Sequence, residues 1–130
     1  MPFVDLSIQH ATPAPAALHA VRAGLTELMA HVLRKRADLT VVSIAVQPDA
    51  TVAIGGEAIA PGRWSGRLVA YVTQGTNSDE EKARFLREAH ELLARHLSEP
   101  ASPFYIVVQE VPAAAWGYDG RTQADRARAA

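Results

Sequence analysis

Apolar and polar residues alternate strictly near the start of the chain, with Val4, Leu6 and Ile8 set against Asp5, Ser7 and Gln9. A period of two with one strongly apolar face predicts a strand. Beyond His10-Ala11-Thr12, Pro13 and Pro15 suit a first helical turn, where a missing N–H is no loss. Leu18, Val21, Leu25, Leu28, Met29 and Val32 then recur at steps of three and four, which predicts a helix running to about Arg36. Val41-Val42-Ser43-Ile44-Ala45-Val46 reads as a second strand with apolar residues on both faces, ended by Pro48-Asp49. Strand, helix and strand make a βαβ unit, so the two strands are expected to be parallel with a right-handed crossover.

The pattern then repeats. Residues 53–66, with Gly55-Gly56, Pro61-Gly62 and Gly66, form a connecting loop, and Arg67 to Thr73 predicts a third strand. Ser78-Asp79-Glu80-Glu81 has the spacing of a capping box, with Glu81 reaching back to Ser78. Phe85, Leu86, Ala89, Leu92, Leu93 and Leu97 supply the apolar stripe of a second helix, and Phe104 to Val111 predicts a fourth strand. A single shift of 64 residues superposes the halves without a gap: Val4 falls on Leu68, Leu25 on Ala89, Val41 on Tyr105 and Pro48 on Pro112. The turns agree too, because Ile54-Gly55-Gly56 lies over Tyr118-Asp119-Gly120, and each unit is expected to end in a glycine-containing hairpin.

The expected architecture is therefore α+β, a duplicated βαβ in the order β-α-β-β-α-β, with a four-stranded sheet and two helices on one face. One domain spans 1–121, with repeat units of about 2–56 and 66–120, and 122–130 is read as a polar, Ala-rich C-terminal tail. Two helices leave the other face of the sheet open. It would carry Val41, Ala45 and Ile106 or their alternates, and a closed oligomer is the simplest way to cover them.

Composition narrows the function. Thirteen Lys and Arg against 14 Asp and Glu give a formal net charge of −1, so no nucleic acid or anionic membrane is expected as a partner. Without cysteine there is no disulfide framework, thiolate metal site or Cys nucleophile. His10, His19, His31, His90 and His96 fit no common zinc spacing, and neither a metal nor a cofactor is expected. With no long apolar run and no basic leader pattern, a cytoplasmic protein is the expectation.

The chemistry concentrates at Pro2. Removal of Met1 would make Pro2 a secondary amine at the head of a buried strand. A free α-amine titrates near about 7.7–8.0, and desolvation of its charged form moves that towards neutrality, where it can take and return a proton. In the second unit Gly66 occupies the equivalent place, so one such amine is expected per chain.

Pro2 opening the first strand, Gly75-Thr76-Asn77-Ser78-Asp79-Glu80-Glu81-Lys82 leading into the second helix, and Glu110-Val111-Pro112 before Trp116-Gly117 together resemble the tautomerase superfamily. The form resembled is the fused one, in which a single chain does the work of two short 4-oxalocrotonate tautomerase subunits. It covers about residues 2–121.

The resemblance implies a homotrimer and a tautomerase or isomerase acting on a small enol or keto acid, with Pro2 as general base or, protonated, as acid. It places Trp116 at an aromatic position lining the pocket. Two arginines that grip the substrate carboxylate in the short tautomerases are replaced here by Asn77 and Tyr105, neither of which carries charge. Arg67, Arg121 and the amides opening the second helix are the remaining candidates for holding an anion. Hydratase and dehalogenase branches add a water-activating acid, for which Asp119 is the nearest candidate. The alternative reading is a catalytically silent trimer of the same fold that binds a small ligand or partner.

Overall fold

A computed structural model describes residues 2–49 and 51–129. The elements follow in the order β1 (Phe3–Gln9), α1 (Pro15–His31), a short 3₁₀ turn (Ala37–Leu39), β2 (Val41–Gln47), β3 (Ala53–Ile54), β4 (Glu57–Ala58), β5 (Ser65–Thr73), α2 (Asp79–Leu97), β6 (Tyr105–Val111), β7 (Gly117–Tyr118), β8 (Arg121–Thr122) and α3 (Gln123–Ala129). The four long strands form one sheet in the order β2-β1-β5-β6. Within each unit the strands are parallel, and the units meet through the antiparallel β1–β5 pair.

The 64-residue repeat is the symmetry of the molecule. It carries the first residue of α1, Pro15, onto the first residue of α2, Asp79, and β2 onto β6 end for end. It also carries the β3–β4 hairpin onto β7–β8, with Gly55-Gly56 and Asp119-Gly120 turning at positive φ in both. Asp5 pairs with Val69, its own counterpart, so the pseudo-two-fold passes through the middle of the β1–β5 ladder.

Alternation in β1 decides the layers. Val4, Leu6 and Ile8 are buried beneath the helices, joined from β5 by Leu68, Ala70 and Val72. Helix α1 contributes Val21, Leu25 and Met29, and α2 contributes Phe85, Ala89, Leu93 and Leu97. Each of the larger of these side chains, Val, Leu, Ile, Phe or Met, contributes about 1.5–3 kcal/mol when removed from water. On the open face lie Phe3, Val41, Tyr105 and Val107, all exposed, while Ala45 points the same way. Ile106 packs instead against the core, so of the expected set its alternates Tyr105 and Val107 face outwards.

Three boundaries differ from the sequence reading. Helix α1 stops at His31 rather than about Arg36, because Arg34 takes the left-handed conformation (φ 59°) and the Lys35 N–H closes back on the Met29 carbonyl at 2.9 Å. That residue more often is glycine. Here Arg34 is held by its side chain, which binds Glu81 and the Thr76 carbonyl. Strand β5 begins two residues early, at Ser65, whose hydroxyl donates to the Ala101 carbonyl at 3.1 Å. The segment read as a tail forms α3, pinned to the second hairpin by Gln123 N–H to Trp116 O (2.8 Å) and Ala124 N–H to Ala113 O (2.9 Å). Among the described residues no helix is long and apolar enough to cross a membrane.

Candidate active site at the Pro2 end of the sheet

Pro2 immediately precedes β1 and is buried, and its carbonyl accepts the Val41 N–H at 3.3 Å. Parallel pairing of β1 with β2 sets Val41 opposite Phe3, and antiparallel pairing with β5 sets Tyr71 on Phe3's other side. The Phe3 and Tyr71 rings meet edge to face at 6.0 Å. Over them lies the second hairpin, which contributes Trp116, Gly117 and Tyr118. Together with Pro2 these residues line a cavity of about 180 Å³. Its walls are chiefly apolar and aromatic, and among the described residues no charged side chain lines it.

Trp116 is fixed by its indole N–H, which donates to Thr73 Oγ1 at 3.1 Å. Tyr118 is fixed from α3: the Arg126 guanidinium lies 3.6 Å from the ring centroid and donates to the Tyr118 carbonyl at 3.0 Å. The aromatic expected at Trp116 is thus in the pocket wall, and Tyr118, Tyr71 and Phe3 join it.

A polar frame holds this end together. The capping box forms as its spacing predicted, Ser78 accepting from Glu81 N–H at 3.1 Å and Glu81 from Ser78 N–H at 2.8 Å. The same Glu81 carboxylate takes Arg34 at 2.6 Å, and its pKa is pushed down to about 2, by the Arg34 hydrogen bonds first and then by Ser78 and Asn77. Lys35 donates to Thr76 Oγ1 at 2.7 Å, and burial lowers its ammonium pKa. Lys82 bridges Asp79 (3.3 Å) and Glu110 (3.0 Å), which ties the first turn of α2 to the end of β6.

Other candidates fall elsewhere. Asn77 spends its amide N–H groups on the Leu33 carbonyl (2.8 Å) and Glu81 (3.2 Å), clamping the end of α1 to the start of α2 rather than lining the cavity. Tyr105 and Arg67 are register partners at the other end of β5, and the repeat relates them to Val41 and Phe3. Arg67 sits opposite Ser7, four residues from the Phe3 position, roughly 13 Å along the strand. Arg121 is exposed on the second hairpin opposite Tyr118 and lines an adjoining hollow on the far side of Trp116. Asp119 occupies a turn position at φ 52°. Met1 lies outside the described residues, so its removal is an expectation about processing.

Comparison with known proteins agrees with this architecture. Residues 70–126, most of the second unit, match the family model described as tautomerase enzyme. Over this stretch the chain is similar to the tautomerase family. Nearly the whole chain shares its fold with solved structures. A fused 4-OT solved as an asymmetric trimer is 18% identical, with a TM-score of 0.80 over 96% of this chain and 97% of that one. A protein solved after inactivation by 2-oxo-3-pentynoate is 12% identical, with a TM-score of 0.83 over 95% and 98%. A macrophage migration inhibitory factor-like protein from Entamoeba histolytica is 14% identical, with a TM-score of 0.75 over 93% and 97%. No curated protein matches the chain.

Proposed function

We propose that this tautomerase-like chain moves a proton within a small enol or keto acid, with the Pro2 nitrogen, freed by loss of Met1, as the base. The observation that carries the reading is that Pro2 is buried and lines an aromatic cavity. Burial of a free amine there would disfavour its ammonium form and favour the neutral base. The neutral nitrogen takes the enol hydroxyl proton, the pair left on oxygen forms C=O, and the C=C pair takes the proton back from the ammonium so formed to make the new C–H bond at the adjacent carbon. Nothing is gained or lost overall. The aromatic walls exclude water and suit a flat conjugated substrate.

A homotrimer belongs to the same proposal. The fused 4-OT above is a trimer, and the open sheet face here presents Phe3, Val41, Tyr105 and Val107 to be covered. The second reading, a silent ligand-binding trimer, draws on Asn77 and Tyr105, where the charged grips of the short tautomerases have no counterpart.

The test begins with intact mass, which must register loss of one Met. Ketonisation of phenylenolpyruvate is then followed in the wild type and in Pro2→Ala, for which turnover should fall about 10²-fold with the oligomer intact. 2-Oxo-3-pentynoate should label the N-terminal peptide. A retained Met1, or equal turnover in the variant, rules out Pro2 as base.

A further inference from the structure

The two units of the repeat differ at the end of the fold that holds Pro2. The 64-residue shift puts Tyr118 over Ile54 and Arg126 over Gly62, so neither the aromatic nor the cation has a counterpart in the first unit. The same shift lays α3 over residues 59–65, which in the first unit are loop and the first residue of β5. Tyr118, Arg126 and the helix that carries Arg126 therefore stand outside the duplication, and they meet beside the one cavity that Pro2 lines.

Helix α3 has little of its own to hold it. Seven residues are too few for a helix to persist alone in water, and none of them is fully buried. Its ties to the second hairpin are the Gln123 N–H on the Trp116 carbonyl, the Ala124 N–H on the Ala113 carbonyl, and Arg126. The Arg126 guanidinium lies 3.6 Å from the Tyr118 ring centroid, and its Nη2 donates to the Tyr118 carbonyl at 3.0 Å. Its Nε is withdrawn from water with no partner among the described residues. Asp125, the one carboxylate of α3, takes Arg128 instead. Withdrawing a cationic N–H from water unpaired is costly. What offsets the cost is the ring and the carbonyl, and both belong to Tyr118. One side chain thus fixes both the ring and the backbone of a single cavity residue. Trp116, two residues earlier, is held separately by Thr73 in the sheet.

We propose that Arg126 is a positioning residue of the Pro2 cavity: from outside it, through Tyr118, it sets the wall on which the flat apolar part of a substrate lies. The identity of that substrate rests on the proton-transfer reading above. Arg126 does not itself line the cavity, so its loss should loosen the hold on an apolar ligand and spare the proton transfer.

The probe is trans-cinnamamide, flat and uncharged, titrated into the purified protein by isothermal calorimetry. Arg126→Met keeps an apolar stem but removes the cation, and should weaken binding roughly fivefold or more. Arg126→Lys returns a cation without the fork and should recover part of the loss. In a Tyr118→Leu background, Arg126→Met should change binding by less than about twofold, because the ring it acts through is gone. In ketonisation of phenylenolpyruvate the loss in Arg126→Met should fall on KM, with kcat within about threefold of wild type. Thermal melting should stay within about 2 °C of wild type, since α3 lies outside the buried core. Unchanged affinity in Arg126→Met, equal losses in the two backgrounds, Met and Lys variants that behave alike, or a wild type that does not bind the probe overturns the assignment. If Arg126→Met loses affinity as expected while Pro2→Ala keeps full turnover, the positioning role stands and the proton-transfer role of Pro2 falls.

Discussion

Gly117→Ala tests whether the second hairpin is what shapes the cavity. A Cβ at this position would lie 1.8 Å from the Arg121 carbonyl oxygen and 2.7 Å from Arg121 C and Thr122 Cα. Carbon–oxygen contacts settle near about 3.3 Å, so β7 and β8 must part by roughly 1.5 Å. No side-chain rotation can relieve the clash, because all three atoms are backbone. Overpacking of this size costs about 1–3 kcal/mol, which at roughly 3–5 °C per kcal/mol is a modest fall in Tm for a hairpin remote from the main core. Activity should suffer far more. Gly117 stands between Trp116 and Tyr118, both of which line the cavity, and a displacement of about 1 Å at a reacting site costs on the order of 10²-fold. The expected result is a kcat/KM for enol ketonisation down about 100-fold, read at the enol absorbance, beside a small shift in thermal melting. The first hairpin provides the control, because the repeat puts Ala53 at the equivalent place. Ala53→Gly should leave turnover within about twofold. Wild-type kcat/KM in Gly117→Ala would refute the claim that this close approach sets the pocket wall.

Two further outcomes follow from the frame and the core. Glu81 has its pKa held down at about 2, against an ordinary 4.5, so its contribution to stability is complete above the ordinary value and disappears as pH falls towards 2. Glu81→Gln should therefore lower Tm at pH 7, and the gap to wild type should close between about pH 5 and pH 2 and narrow in high salt. Equal gaps at both ends of that range would contradict the role given to Arg34 and the cap. Trp64, 1% exposed, donates its indole N–H to the Ser98 carbonyl at 2.9 Å and packs edge to face on Phe104. Trp64→Phe should cost about 2–4 kcal/mol, read as a lower urea midpoint at unchanged m. Because Trp64 leads into the end of β5 that pairs with Gln9, away from Pro2, kcat/KM per folded molecule should hold.

Much of this molecule was legible in one dimension because its signals are local. Alternation in Val4, Leu6 and Ile8, the stripes of α1 and α2, the Ser78–Glu81 box and the glycine turns each depend on residues a few positions apart. Duplication then fixed the architecture, since two copies of one βαβ unit at a constant shift have few ways to share a sheet. Pro2 was marked by chemistry alone: loss of Met1 would make it a secondary amine at the head of an apolar strand.

What tertiary structure decided are the partnerships across long separations. Asn77 has the composition of a polar site residue, yet its amide is taken by the Leu33 carbonyl, which only the packing of α1 against α2 brings near. Arg34 ends α1 without glycine because a carboxylate 47 residues away holds its side chain. Phe3, Tyr71, Trp116 and Tyr118 belong to three segments that converge only when β1 pairs antiparallel with β5 and α3 presses the last hairpin down. Sequence periodicity reports which face a residue turns to the core, whereas a cavity is made of distances between elements, and those are set only once the sheet is assembled.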